Sequence, residues 1–235
     1  MNILAIDSSA KAASAAVVSE EAVLASFHLD VKLTHSQTLM PMCQQVLACA
    51  GLTMEDIHGI AVSKGPGSFT GLRIGMAAVK GLAFAKNLPC VGVSTLKSLA
   101  YNLQGFEGIA CAVMDARRNQ VYNALFALRD GTVSRLCEDR AISVEELKAE
   151  LTDFNQPVFL VGDGAQLCLR AMPELPRLRL APLAVRTARA ASVGVAALPD
   201  FLSGNTVDAE TLMPAYLRLP QAQRELLERE GKTMK

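Results

Sequence analysis

The chain has few side chains that could hold a nucleic acid. It has no tryptophan, eight phenylalanines and three tyrosines, which offers little surface for base stacking. It also lacks an excess of positive charge, since Lys+Arg and Asp+Glu both count 23 and neither half departs far from neutrality. A protein that binds nucleic acid unaided usually needs a basic field. We interpret one local basic cluster as a solvated face and leave its role open. The cluster consists of Arg170, Arg177, Arg179, Arg186 and Arg189.

Long apolar runs are absent as well. None approaches the roughly 18–20 residues that cross a bilayer. The beginning, Met1-Asn2, has no basic region, and Asp7 soon interrupts the first apolar stretch. We therefore expect no signal peptide, no membrane contact and a cytoplasmic location.

Metal-binding and disulfide patterns are missing too. The six cysteines include no C-x-x-C pair, and the three histidines (His28, His35 and His58) include no H-x-x-x-H pair. A zinc ribbon and a thioredoxin-like site are thus not indicated. Small cysteines within apolar strings are typical of reduced core residues, so we predict free thiols.

What the chain does have is a 51% hydrophobic composition and an internal repeat. An apolar strand that ends in an acid, followed by a hairpin, occurs at Asp7 and again at Asp115. A strand that ends in a glycine loop before a helix occurs at Gly65 and again at Gly162. The repeat predicts two related α/β halves, 1–105 and 106–235, with the second less regular. The clearest helices are expected over about 36–50, 70–86 and 188–202, and a charged one after Pro220.

The segment from Lys64 to Gly75 contains the most specific motif, KGPGSFTGLRIG. Gly65 and Gly67 allow backbone angles that a Cβ would forbid, and Ser68 or Thr70 can cap the following helix. The spacing fits neither a Walker A loop nor G-x-G-x-x-G. An anion-binding loop and a rigid packing turn both remain open. The helix that follows is apolar around its whole circumference, which indicates burial on two sides, by the chain's own first helix or by a partner.

These residues resemble the bacterial TsaB (YeaZ) family. The resemblance lies in Met1–Ser9, Thr34–Ser36, the glycine-loop segment, Val91–Leu96 and Pro214–Arg218, and it is most specific over residues 1–105. It implies two tandem actin-like ATPase lobes (the sugar kinase/Hsp70/actin fold), the second smaller and degenerate.

The resemblance also implies a role. Members of the family are non-catalytic platforms for the paralogue TsaD, which transfers threonylcarbamoyl to N6 of an adenosine in tRNAs that read codons starting with A. The ATPase TsaE completes the assembly. The platform would self-associate as a homodimer when TsaD is absent, would meet tRNA only through the complex, and would require no cofactor, with weak ATP or ADP binding left open.

Two sets of site residues follow from the resemblance. The interface would use helices 35–50 and 70–86, through His35, Leu39, Met42, Cys43, Val46, Arg73, Ile74, Met76, Ala78, Val79 and Leu82. Contact with an anion or nucleotide would use Asp7, Gly65, Gly67, Ser68 and Thr70. A Glu at Ala78 or Val79 is expected to abolish association without unfolding the chain.

Three alternatives stay open beside this interpretation. Asp7 would act near Mg-phosphate if the chain were a small phosphotransferase of the same fold, and would cap a turn otherwise. Arg73 could meet an anion, a partner carboxylate or a surface acid. A peptidase is disfavoured because the two metal-binding histidines of TsaD correspond here to Thr95 and Leu99, so neither a catalytic nor a metal set is predicted.

Overall fold

A computed structural model describes residues 1–218. Its first sheet has five strands in the order β3-β2-β1-β4-β5. β1 pairs antiparallel with β2 and parallel with β4, so the hairpins lie on one side of β1 and the parallel strands on the other. The strands are β1 (Asn2–Asp7), β2 (Ala13–Ser19), β3 (Val23–Leu29), β4 (Gly59–Gly65) and β5 (Cys90–Ser94).

The second sheet repeats this arrangement. Its order is β11-β10-β6-β7-β8, with β9 also paired to β7. The strands are β6 (Gly108–Asp115), β7 (Gln120–Arg129), β8 (Thr132–Arg135), β9 (Arg140–Ser143), β10 (Val158–Val161) and β11 (Leu178–Leu180). The same strand order in both halves confirms the predicted repeat and the two-lobed actin-like fold.

Six helices cover the sheets. α1 (His35–Cys49) and α2 (Phe69–Phe84) pack on the outer face of the first sheet, while α4 (Val144–Thr152) and α5 (Ala165–Ala171) pack on that of the second. The inner faces exchange helices: α3 (Thr95–Tyr101) packs on the second sheet, and α6 (Ala190–Leu202) packs on the first. Because each of these helices packs on the sheet of the other lobe, they hold the two lobes together. The last strand of the first sheet ends at Ser94, and the first strand of the second sheet begins at Gly108.

Most predicted elements lie where the patterns indicated. Ser143 caps α4 with a reciprocal bond to Glu146, and the Asp130-Gly131 turn has positive φ at both residues. β9 and β11 were not predicted because each contains an arginine and lacks the continuous apolar run that marks β10. α6 continues through Pro199, and the helix expected after Pro220 lies outside the described residues.

Two further expectations concern thiols and membranes. All six cysteines are free, and burial raises the pKa of Cys43 and Cys168 to about 12, so these thiols are inert core residues. Across residues 1–218, every helix is too short or too polar to be a membrane-span candidate.

Candidate functional site

Asp7 ends β1 at the junction of the two lobes and is fully buried. Its Oδ1 accepts hydrogen bonds from the Ser9 amide (3.1 Å) and hydroxyl (3.0 Å), and its Oδ2 accepts one from Ser63 on β4. Burial raises the pKa of this carboxyl, and the Ser63 and Ser9 bonds partly oppose the shift. Through these bonds Asp7 connects the turn that follows β1 with strand β4.

The glycine loop packs tightly on that same turn. The Ser68 amide donates to the Ser9 carbonyl over 2.7 Å. A Cβ at Gly67 would lie 2.3 Å from the Ser9 carbonyl oxygen, and one at Gly71 would lie 2.0 Å from that of Ser8. Only glycine permits these approaches, so the motif has a packing role in this chain.

A cleft of about 530 Å³ opens between the lobes beside this packed loop. Of the predicted anion contacts, Gly67, Ser68 and Thr70 line it, and Ser68 also caps α2 by accepting from the Gly71 amide. Asp7 is buried behind it, and Gly65 instead packs against the Ala215 carbonyl, 2.3 Å from where its Cβ would lie. The structure thus brings three of the five residues to the cleft.

The second lobe supplies the other wall. Asp115 is exposed there, its Oδ1 accepts from the Arg117 amide over 2.7 Å, and its own amide donates to Asp163 over 3.2 Å. Lys11, Arg117, Tyr122 and Asp163 also line the cleft and were not predicted as site residues. The repeat could have indicated Asp163, because it lies in the glycine loop that corresponds to the one in the first lobe.

The predicted interface residues divide by burial. His35 is partly buried, with Nε2 2.8 Å from the Ala10 carbonyl oxygen, and Arg73 is exposed. Ile74, Ala78 and Leu82 are partly buried against the core of the first lobe. Six of the predicted residues lie inside that core: Leu39, Met42, Cys43, Val46, Met76 and Val79.

This burial corrects the sequence-based expectation. The six core side chains are at most 5% exposed, so they stabilise the lobe and offer almost no contact area on its surface. Val79 is 0% exposed, so a Glu there would place a charge in the core and unfold the chain, contrary to what we expected from the sequence. A test of association needs an exposed position of the same helix.

The α2 outer face consists of Arg73, Ala77, Gly81 and Phe84, which are all exposed and follow one another at helical spacing. Phe84 has 82% of its surface in contact with solvent. The solvent-facing side of α2 is therefore not apolar along its whole length. It is a narrow strip of two small residues, with an arginine at one end and a phenylalanine at the other.

Thr95 and Leu99, which the resemblance places where TsaD has metal-binding histidines, are buried in α3. Within the described part of the chain, no three His, Cys, Asp or Glu residues come together as a metal site.

Comparison with known proteins identifies the family. A family model described as TsaD: tRNA N6-adenosine threonylcarbamoyltransferase matches residues 30–225. The tRNA threonylcarbamoyladenosine biosynthesis protein TsaB of Bacillus subtilis is 30% identical, over 97% of this chain and 99% of its own. This chain belongs to the TsaB family. The TsaB protein of Escherichia coli is 34% identical, over 93% of this chain and 95% of its own.

The fold agrees with that assignment. The solved structure described as YeaZ from Pseudomonas aeruginosa superimposes with a TM-score of 0.79 and 31% identity, covering 92% of this chain and 99% of that one. The TsaB family assignment thus rests on the sequence and on the fold, each over nearly the full length.

Proposed function

We propose that this TsaB-family chain takes part in tRNA N6-threonylcarbamoyladenosine biosynthesis as a non-catalytic platform. In this role it binds and activates a TsaD-type transferase, together with a TsaE-type ATPase. It meets tRNA only through that complex, works in the cytoplasm, and forms a homodimer when the transferase is absent.

The observation that carries the proposal is the α2 outer face. Phe84 is 82% exposed, the highest value among the large hydrophobic side chains of residues 1–218, and the small residues Gly81 and Ala77 lie beside it. Large exposed aromatic residues are enriched in protein interfaces, where burial offsets the cost of their exposure. Small neighbours let a partner helix come close to the α2 backbone.

The cleft supports the non-catalytic part of the proposal. An acid that positions Mg-phosphate must present its carboxylate to the ligand, yet both oxygens of Asp7 accept bonds within the protein and the residue is fully buried. The glycine loop is likewise occupied by its packing on Ser8 and Ser9. We infer that no cofactor is required and that any binding of ATP or ADP in the cleft is weak.

A second candidate is an ATP-dependent phosphotransferase acting in the same cleft. Its support is the polar lining of the 530 Å³ space, which includes Lys11, Asp115 and Arg117. Lys11 and Arg117 could contact an anionic ligand, and the acids that would face it are Asp115 and Asp163, since Asp7 is shielded.

One pair of measurements separates the two functions. The purified chain is mixed with the TsaD-family paralogue of the same organism and analysed by light scattering after size exclusion. It is also incubated alone with MgATP and assayed for ADP release. The platform function predicts a stable mixed complex and no turnover above buffer, whereas turnover by the chain alone without complex formation would favour the phosphotransferase.

A further inference from the structure

The helices that form the proposed docking surface contain no acidic residue. Residues 31–106 contain only Glu55 and Asp56 as acids, and both lie between α1 and β4 rather than in α1 or α2. Among the cations of α2 and the turn after it, Lys86 pairs with Glu55, and Lys80 donates to the Glu210 carbonyl over 3.0 Å. Arg73 is left as the cation of the α2 outer face.

Arg73 is held in place by a distant part of the chain. Its Nε donates to the hydroxyl of Tyr216 over 3.3 Å. The Tyr216 ring stacks on Phe69, with centroids 4.4 Å apart and planes 18° from parallel. An arginine so fixed loses less side-chain entropy when it binds, which favours affinity.

The segment that contains Tyr216 is itself fastened to both lobes. The Ala215 amide donates to the Lys64 carbonyl of the first lobe over 2.7 Å. On the other side, Nη1 of Arg218 donates to the Ala116 carbonyl of the second lobe over 2.9 Å, and its guanidinium lies 5.9 Å from the centre of the Tyr122 ring. Tyr216 is therefore a rigid support for Arg73.

The free side of the guanidinium is suited to a carboxylate. Within residues 1–218, the bond to Tyr216 is the one hydrogen bond that the Arg73 side chain makes, and no acid lies within ion-pair distance of it. Two terminal nitrogens stay available on an exposed residue, and their planar arrangement matches the two oxygens of an Asp or Glu.

We propose that Arg73, positioned by Tyr216, binds a carboxylate of a heterologous partner protein docked on the α2 outer face. The inference rests on the proposed function and adds the chemistry of the partner. A two-fold contact with a second copy would bring together α1 and α2, which contain no acid, and Glu55 beside them is already paired with Lys86. Arg73 thus favours an acidic partner over self-association.

The test uses the full chain and its TsaD-family paralogue, with affinity measured by titration calorimetry at several salt concentrations. Arg73→Gln should weaken the mixed complex by about tenfold to 100-fold, the range expected for a charged hydrogen bond, and should flatten the salt dependence. It should leave the self-association constant of the chain unchanged. Arg129→Gln, which alters an exposed arginine of the second lobe, should change neither quantity.

Tyr216→Phe tests the positioning role, because it removes the hydroxyl and keeps the stacked ring. It should weaken the complex by about threefold in the wild-type background and not at all in the Arg73→Gln background. Equal effects in both backgrounds, or an Arg73→Gln complex as tight as the wild type, would overturn the inference. If the wild-type chain forms no complex with the paralogue, the proposed function fails and this inference fails with it.

Discussion

Replacing Ala77 with Glu should abolish association with the TsaD-family paralogue while the chain stays folded. Ala77 is exposed at the centre of the α2 outer face, so its replacement leaves the core intact. In the complex, a buried carboxylate without a partner would cost roughly 3–5 kcal/mol, which is at least a 100-fold loss of affinity. Should the new acid instead pair with Arg73, which lies one helical turn away, Arg73 would no longer be available to the partner. Calorimetric titration against the paralogue measures this loss.

A matched control is available in the other lobe. Ala149 is exposed on α4, so Ala149→Glu introduces the same charge on the same kind of surface, far from the proposed contact. It should bind the paralogue as the wild type does. Equal affinities for the two variants would show that the α2 outer face is not the docking surface, and circular dichroism would check that both remain folded.

The second large effect is on stability, and it compares two glycines of one helix. Gly71→Ala should destabilise the chain by about 3 kcal/mol, because the added methyl would meet the fixed Ser8 carbonyl oxygen at 2.0 Å. Gly81→Ala should stabilise it by about 0.5–1 kcal/mol, since nothing lies within 4 Å and alanine favours a helix. Urea unfolding at equal protein concentration gives both free energies.

The two substitutions should shift the free energy of unfolding in opposite directions although both lie in α2. If the glycine loop were an open phosphate cradle, a methyl at Gly71 would be tolerated in the empty protein, and both variants would gain stability from helix propensity. Similar unfolding free energies for the two variants would therefore contradict the packing role of the motif.

The sequence predicted the fold better than the docking surface. The repeated pattern of a strand that ends in an acid, at Asp7 and at Asp115, predicts the strand order correctly. It does so because the same hairpin and crossover follow each of these strands. The side of a helix that faces solvent cannot be predicted in the same way. The pattern of α2 cannot say whether Val79 or Ala77 faces outward when both are apolar, since that depends on where α1 and the sheet lie.

Long-range contacts explain the rest of what the sequence missed. The packing of α6 on the first sheet joins residues as far as 176 positions apart, as in the bond from the Ala190 amide to the Ser14 hydroxyl, and no local pattern encodes it. The same holds for Tyr216 and Arg73, and for the packing of Ser8 against Gly71. The motif residues could be picked out as special, but the partner of each glycine was visible only in the folded chain.

The most direct test of the platform function is reconstitution of tRNA modification with an Asp7→Asn variant. The chain is combined with TsaD-type and TsaE-type proteins, threonylcarbamoyl-AMP and tRNA, and the modified adenosine is quantified. The Asn oxygen can accept both Ser9 bonds, and its NH2 group can donate to the Ser63 hydroxyl in place of the bond that Asp7 accepts, so a platform predicts activity close to that of the wild type. Loss of activity by about 100-fold or more, with the complex still assembled, would mean that Asp7 acts in the chemistry and would contradict the account.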